Sequence, residues 1–196
     1  MSELKPKYLA LGDSYTIGEG VRENERWPVQ LAKKLNWQDP SIIATTGWKT
    51  FELIEAIEKA ALKGTYDWVS LLIGVNNQFR ELPFSEFKED MQHLADKMKP
   101  LVSSSNHIFL LSIPDYSVTP FAKGLQPDKI SAELKQYNLY LQEFADSKGY
   151  QFCSITDLST AAGKDDSLLV EDKLHPSAKQ YNMWVEQIVE ICTFSP

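Results

Sequence analysis

The sequence predicts an α/β fold in which helices cover both faces of a parallel five-stranded sheet. Short apolar runs alternate with longer amphipathic ones along the chain. The central apolar runs are nearly continuous, which is typical of strands that are buried on both faces. Strand and helix alternate five times, and this order favours parallel strands joined by right-handed crossovers. The chain has 196 residues, of which 43% are hydrophobic, and this suffices for one buried core.

The predicted strands are short and rich in apolar residues. They cover residues 8–11, 42–45, 68–73, 108–113 and 150–155. Cys153 lies in the last of these runs and is expected to be a core residue. Only one other cysteine, Cys192, is present, and neither belongs to a C-x-x-C pattern. A zinc site and a disulfide framework are therefore not expected.

The predicted helices carry apolar stripes at a spacing of three to four residues. These stripes lie within residues 29–35, 51–61, 84–98, 130–145 and 177–191. The longest irregular stretch, residues 114–128, is a loop of a length that is often functional. No repeat or linker interrupts the pattern, so we expect residues 1–196 to form one domain. The predicted architecture is a three-layer α/β/α sandwich that resembles a flavodoxin-like sheet.

Charge and hydropathy exclude several classes of function. The net charge is −7 and the basic residues are not clustered, whereas a nucleic-acid binder needs a basic surface. The same charge disfavours an anionic membrane surface. No stretch approaches the about 18 apolar residues that span a bilayer, and the N-terminus lacks the apolar core of a signal peptide. We therefore expect a cytoplasmic protein without stable membrane association, whose oligomeric state the sequence leaves open.

Ser14 directly follows the first predicted strand, in the run Gly12-Asp13-Ser14. Gly12 permits a tight turn, after which Ser14 lies at the start of a helix. Free backbone N–H groups and the helix dipole favour negative charge there. Taken alone, such a serine is more often a helix N-cap than a nucleophile. Thr16 also rules out the G-x-S-x-G nucleophile elbow.

A serine nucleophile needs a histidine as its base, and a carboxylate usually orients that histidine. Two of the three histidines are poor candidates. His93 follows Asp90 by three residues, but both lie mid-helix and off the apolar stripe, as on a solvated helix face. His107 begins a strand, so it lies at the amino end of the sheet.

The pair Asp172 and His175 has a more favourable position. It falls in a loop between the fifth strand and the last helix, where Pro176 suits a first helical turn. In open α/β sheets, active sites form at the carboxyl ends of the strands. His175 is therefore the candidate base and Asp172 its orienting carboxylate, although a purely structural pair has the same spacing.

Donors for an oxyanion occur after the second and third strands. Gly47 follows the second strand, and glycine lets a backbone N–H approach a ligand closely. Asn76 follows the third strand, and its amide has two N–H donors. Each is also a common turn residue. Together with Ser14 and His175, however, they place polar groups after four strands, at one edge of the sheet.

These four segments, in this order, resemble the conserved blocks of the GDSL-type or SGNH hydrolase family. The resemblance implies that Ser14 is the nucleophile and that Asp172 and His175 complete a catalytic triad. It assigns the oxyanion hole to the backbone N–H groups of Ser14 and Gly47 and to the Asn76 amide. It implies the SGNH hydrolase fold and no cofactor or metal. Asn77 departs from the family pattern, which usually has an acid at this position.

The implied activity is hydrolysis of a small-molecule carboxylic ester through an acyl-enzyme on Ser14. Four aromatic residues either line an apolar acyl pocket or pack in the core: Trp48, Phe79, Tyr116 and Phe121. They favour short to medium acyl esters or lysophospholipid-like substrates. The alternatives within the family are a carbohydrate O-acetylesterase and a thioesterase. A non-enzymatic nucleotide-binding module leaves Asn76 and the Asp172–His175 pair unexplained. A family member retained only for interaction is disfavoured because all of the named catalytic positions are occupied.

Overall fold

The computed structural model describes residues 4–194 and contains a five-stranded sheet with every neighbouring pair parallel. The predicted α/β fold class is therefore confirmed. The spatial order of the strands is β2-β1-β3-β4-β5. Their bounds are β1 Tyr8–Gly12, β2 Ser41–Ala44, β3 Trp68–Leu72, β4 Ile108–Leu111 and β5 Gln151–Cys153.

Eight α-helices are present among the described residues. They are α1 Ser14–Ile17, α2 Trp27–Lys34, α3 Thr50–Ala60, α4 Val75–Phe79, α5 Phe84–Met98, α6 Pro127–Lys148, α7 Thr156–Thr160 and α8 Ala178–Ile191. The crossover from β1 to β2 runs in the opposite direction from the later crossovers. Because such crossovers are right-handed, α2 covers one face of the sheet and α3, α5 and α6 cover the other. Helix α8 packs against α2 and so completes the first face.

The hydrophobic core lies on both faces of the three central strands. Every residue of β1, β3 and β4 is buried, whereas the edge strands β2 and β5 are partly exposed. This burial explains why the central strands are nearly continuous apolar runs in the sequence. The strand order reverses between β1 and β3, so the loops that follow these two strands diverge. A crevice opens at such a point, at the carboxyl edge of the sheet.

Strands β4 and β5 are shorter than the apolar runs that predict them. The N–H of Ile113 donates to Asn138 Oδ1 at 2.6 Å, and the N–H of Ile155 donates to Ser112 Oγ at 2.8 Å. These backbone N–H groups therefore bond to side chains and are not available for the strand-to-strand hydrogen bonds that would lengthen β4 and β5. Hydrophobic pattern alone does not reveal this competition, because the partners lie far apart in sequence.

Two boundaries near the carboxyl edge differ from the prediction. The last helix begins at Ala178, with Ser177 as its N-cap, so Pro176 is not in the first helical turn. Pro176 instead forms an isolated antiparallel bridge with Leu169. The loop predicted at residues 114–128 contains two short 3₁₀ turns, Tyr116–Val118 and Pro120–Ala122, and ends where α6 begins.

Both cysteines are buried free thiols, and Cys153 is a core residue as predicted. A hydrogen bond with Cys192, together with burial, raises the pKa of Cys153 above its ordinary value. Across residues 4–194, no helix combines the length and apolar character needed to cross a membrane. In the same part of the chain, no cluster of three or more His, Cys, Asp or Glu side chains is arranged to hold a metal ion.

Candidate active site

A cleft of about 180 Å³ opens at the carboxyl edge of the sheet. It brings together the loops that follow β1, β2, β3 and β4 with the loop that precedes α8. Its lining residues are Ser14, Tyr15, Thr46, Gly47, Val75, Asn76, Phe79, Tyr116, Phe121, Leu174 and His175. Ser14, Gly47, Asn76 and His175, which were singled out in the sequence, therefore share one cavity.

Ser14 is the first residue of α1, and Asp13 is the N-cap of that helix. The Asp13 Oδ1 atom accepts a hydrogen bond from the Tyr15 N–H at 3.1 Å. The capping role is therefore filled by Asp13, and the Ser14 side chain faces the cleft. A Cβ atom at Gly12 would overlap the Thr16 side chain and the Leu72 carbonyl oxygen. Glycine is thus required for the turn that holds Ser14 against the end of β3.

The His175 imidazole is held by the Asp172 carboxylate. His175 Nδ1 lies 2.6 Å from Asp172 Oδ2, while Asp172 Oδ1 accepts from the backbone N–H groups of Leu174 and His175, each at 2.9 Å. Burial raises the pKa of Asp172, but the hydrogen bonds from His175 and Leu174 outweigh it and hold the pKa below its usual value. The Tyr15 ring meets the imidazole edge to face, with centroids 5.7 Å apart. Both contacts fix the ring, and within residues 4–194 the other ring nitrogen, Nε2, has no hydrogen-bond partner.

The backbone around His175 is also restrained. Lys173 has φ +60°, which closes the turn between Asp172 and His175. The Val170 N–H donates to the His175 carbonyl at 2.9 Å, and the Phe121 N–H donates to the Lys173 carbonyl at 3.3 Å. Residues 172–175, which we call the histidine loop, are therefore hydrogen-bonded both to Val170, which precedes the loop, and to Phe121, which lines the cleft.

Two backbone N–H groups and one side-chain amide supply donors to the cleft. Among residues 4–194, neither the Ser14 N–H nor the Gly47 N–H has a hydrogen-bond acceptor within the protein. Gly47 has φ +85°, a conformation that favours glycine. Asn76 donates one N–H to the Trp48 carbonyl at 3.0 Å. Since a primary amide has two N–H donors, a second remains for a ligand.

Asn77, which departs from the family pattern, lies outside the cleft lining and is 1% exposed. Its Oδ1 accepts from the Thr50 N–H at 3.1 Å, and its Nδ2 donates to Thr50 Oγ1 at 2.7 Å. Thr50 Oγ1 in turn donates to Asp90 Oδ2 at 2.5 Å. Asp90 is half-buried and reaches across to the start of α3, so it is not simply the solvated helix-face residue that the sequence predicted.

Three of the four aromatic residues named from the sequence form the apolar wall of the cleft. The ring centroids of Phe79, Tyr116 and Phe121 lie 6.1–6.4 Å from one another. Phe79 and Phe121 are 38% and 41% exposed, so they form the mouth, whereas Tyr116 is buried. Trp48 is absent from the lining, and its side chain packs against the core.

The remaining lining residues were not singled out in the sequence. Each of them is the direct sequence neighbour of a candidate site residue, and this adjacency is the signal by which the sequence could have identified them: Tyr15, Thr46, Val75 and Leu174. The other two histidines lie outside the lining. His93 is exposed on α5. His107 precedes β4, at the amino end of the sheet, and packs against Trp68 with centroids 4.5 Å apart and ring planes inclined by 33°.

Asp13 carries a buried carboxyl group beside Ser14. Burial raises the pKa of Asp13 from 3.8 to about 7. Its Oδ2 atom has no hydrogen-bond partner within residues 4–194, which agrees with the cost of burying a charged oxygen. The N-cap contact through Oδ1 only partly offsets this cost.

The fold and the cleft define a small α/β enzyme with its polar groups at the carboxyl edge of a parallel sheet. The model of the GDSL-like Lipase/Acylhydrolase family matches residues 10–183. The chain belongs to this family and is a carboxylic ester hydrolase. A comparison of the sequence with curated proteins found no significant match.

Solved structures share the fold at low sequence identity. A member of the lipolytic G-D-S-L family from Veillonella parvula has a TM-score of 0.74 and 13% identity, over 94% of this chain and 97% of its own. An acetylxylan esterase from Geobacillus stearothermophilus has a TM-score of 0.69 and 20% identity, over 100% and 98%. TesA has a TM-score of 0.69 and 14% identity, over 94% and 97%. These likenesses establish the architecture of the chain.

The buried carboxyl group of Asp13 predicts a pH-dependent stability. Its pKa is 3.8 in the unfolded chain and about 7 in the folded protein. Between these two pH values the carboxyl group is therefore protonated in the folded protein and ionised in the unfolded chain. The free energy of unfolding therefore falls as the pH rises through this window. We expect Asp13→Asn, which keeps the Oδ1 acceptor, to be more stable than the wild type at pH 8, by at most roughly 4 kcal/mol.

Urea unfolding at pH 5 and pH 8 measures this difference. Asp39→Asn, at an exposed position, is the matched control and should shift neither value. An Asp13→Asn effect that is equal at the two pH values would contradict a raised pKa.

Proposed function

We propose that this protein hydrolyses carboxylic esters through an acyl-enzyme formed on Ser14. One observation carries the proposal: the His175 imidazole is held by Asp172 at 2.6 Å and lines the same cleft as Ser14. A serine hydroxyl is a weak nucleophile unless a neighbouring base accepts its proton. A carboxylate bonded to the other ring nitrogen keeps the imidazole in the tautomer that accepts that proton.

The reaction then follows from these groups. His175 Nε2 takes the proton of Ser14 as Oγ attacks the ester carbonyl, and Asp172 stabilises the imidazolium that forms. The imidazolium returns the proton to the leaving alcohol, which leaves an acyl group on Ser14. Water attacks this acyl group with His175 again as base, and His175 then passes that proton to Ser14 Oγ as the bond to the acyl group breaks. The carboxylic acid departs and the serine hydroxyl is restored. Residues 1–196 serve as one catalytic domain in this proposal.

The tetrahedral intermediate places negative charge on the former carbonyl oxygen. The N–H groups of Ser14 and Gly47 have no protein acceptor within residues 4–194, so both are available to that oxygen. The second N–H of Asn76 is the third donor. Donors that are already oriented stabilise the developing charge without reorganisation.

The cleft favours esters with short to medium acyl groups. Its walls are apolar, formed by Val75, Phe79, Tyr116, Phe121 and Leu174, and its volume is about 180 Å³. This volume lies below the range of about 300–1,000 Å³ that holds drug-sized ligands. Lysophospholipid-like esters remain within the class, because Phe79 and Phe121 leave the mouth open to a longer chain.

A carbohydrate O-acetylesterase is the second candidate, and an adjoining groove favours it. This groove of about 310 Å³ shares Phe79 and Tyr116 with the cleft and is otherwise lined largely by polar residues, among them Gln78, Arg80 and Glu133. Such groups suit a hydroxylated leaving alcohol. One structural neighbour is an acetylxylan esterase. A thioester substrate requires the same acyl transfer to Ser14.

Labelling with a fluorophosphonate tests the proposed nucleophile. We expect one adduct on Ser14, located by mass spectrometry, because only an activated serine attacks this reagent rapidly. Ser14→Ala and His175→Ala should abolish the adduct, while His93→Ala, at an exposed histidine, should retain it. A folded wild-type protein that acquires no adduct would point to a non-enzymatic member of the fold.

Loss of the Asn76 amide should slow the chemical step. We expect Asn76→Ala to lower kcat by about 10²–10³-fold, or about 3–4 kcal/mol, with a smaller effect on KM, because the oxyanion forms only after attack. Steady-state kinetics on a nitrophenyl ester measures both constants. Asn182→Ala, on the exposed side of α8, is the control, and wild-type turnover in folded Asn76→Ala would remove this residue from the mechanism.

A series of nitrophenyl esters from acetate to octanoate, run beside acetylated sugars and a thioester, tests the substrate class. We expect Phe121→Ala to reduce kcat/KM for the butyrate and hexanoate esters by about tenfold and to change the acetate value less. Leu139→Ala removes another exposed apolar side chain, outside the cleft, and should change neither value. A strong preference for acetylated sugars would instead favour the second candidate.

A further inference from the structure

We propose that Asp90 is a positioning residue of the oxyanion hole and acts through Thr50 and Asn77. This inference rests on the proposed function, since it concerns the donors that hold the oxyanion. None of the three residues lines the cleft, and none was assigned a catalytic role in the sequence. Together they form a continuous hydrogen-bonded chain from α5, through the start of α3, to α4.

The chain controls the loop that carries Gly47. On one side of this loop, Asn76 Nδ2 donates to the Trp48 carbonyl at 3.0 Å. On the other, Asn77 bonds to both the N–H and the hydroxyl of Thr50, at 3.1 and 2.7 Å. Two adjacent asparagines of α4 therefore clamp residues 48 and 50. The position of the Gly47 N–H relative to the Asn76 amide depends on this clamp.

The direction of each hydrogen bond in the chain follows from its donors. The Thr50 N–H can only donate, so the Asn77 atom that faces it is the carbonyl oxygen. The Asn77 amide nitrogen then faces Thr50 Oγ1, which must accept. The Thr50 hydroxyl proton is consequently directed to Asp90 Oδ2, at 2.5 Å. The Asp90 carboxylate therefore pairs the hydroxyl proton of Thr50, and a carboxylate can act only as an acceptor in this order.

The charge on Asp90 has no competing cation. No lysine, arginine or histidine among residues 4–194 forms an ion pair with Asp90. Thr50 is fully buried and Asn77 is 1% exposed, whereas Asp90 is half-buried, so the carboxylate acts on two partners that are shielded from solvent. Hydrogen bonds to a charged group are roughly twice as strong as neutral ones. Asp90 therefore fixes the Thr50 hydroxyl and, through it, the orientation of the Asn77 amide.

The hydrogen-bonded chain requires a carboxylate at one of positions 77 and 90 and an amide at the other. With Asn77→Asp alone, two carboxylates would face one hydroxyl, and a single O–H can satisfy only one of them. With Asp90→Asn alone, the hydroxyl can still donate to the amide oxygen, although more weakly. With both substitutions the chain is complete again with its direction reversed, because residue 90 donates to Thr50 Oγ1 and Thr50 donates to residue 77.

Kinetics of the two single variants and the double variant test this pairing. We expect Asn77→Asp to lower kcat by about 10–100-fold and Asp90→Asn by about 3–10-fold, with KM within about twofold of the wild type. The double variant should recover kcat to within about threefold of the wild type. Glu89→Gln, exposed on α5 next to Asp90, makes the same charge change and should leave kcat unaltered.

A structural role alone would change the free energy of unfolding but not kcat well below the melting temperature. Folded Asn77→Asp with wild-type kcat, or a double variant whose loss is the product of the single losses, overturns the proposal. If Asn77→Asp does not fold, Thr50→Val and Thr50→Ser replace it. The valine variant should lose at least about tenfold in kcat and the serine variant less than about threefold.

The wild type separates this proposal from the proposed function. A wild type without Ser14-dependent turnover overturns both. A wild type that is active, with variants that show no coupling between positions 77 and 90, overturns only the role of Asp90.

Discussion

The site depends on the parallel register of β1 with its two neighbours. Gly12 pairs with Ala44 of β2 and with Leu72 of β3, so the three strands end at one level. Ser14, Gly47 and Asn76 lie two, three and four residues beyond the ends of β1, β2 and β3. A shift of one residue in either pairing would move a donor by more than 3 Å. The hydrogen bonds between the strands thus set the relative positions of Ser14, Gly47 and Asn76.

Loops at this edge are held by polar contacts rather than by apolar packing alone. The loop after β2 is clamped by Asn76 and Asn77, and the histidine loop is closed by Asp172 and the positive φ of Lys173. Burying polar groups at this edge also lowers the stability of the fold. Asp13 is the clearest case, because its carboxyl group is buried and one of its oxygens has no partner among the described residues. A site held rigidly in this way is suited to stabilising a developing oxyanion.

Much of the fold and of the candidate site could be predicted because short-range signals agreed. Alternating apolar runs identified each of the five strands and the five longer helices that cover the sheet, since burial on both faces leaves a continuous hydrophobic run. The positions of Ser14, Gly47, Asn76 and His175 at one edge of the sheet then followed from the rule that active sites form at the carboxyl ends of the strands. Ends of elements were less accurate, as at Ile113 and Ile155, because distant side chains compete for their backbone donors.

By itself, the sequence determined the fold class, the family resemblance and the residues that face one edge of the sheet. These properties depend on local pattern and chain order. Only the tertiary structure decided that Asp13 rather than Ser14 caps the helix, that Trp48 packs against the core, and that Asp90 reaches Thr50. Each of these depends on which of several chemically similar partners lies within hydrogen-bond or packing distance, and that distance is set by how separate elements pack together.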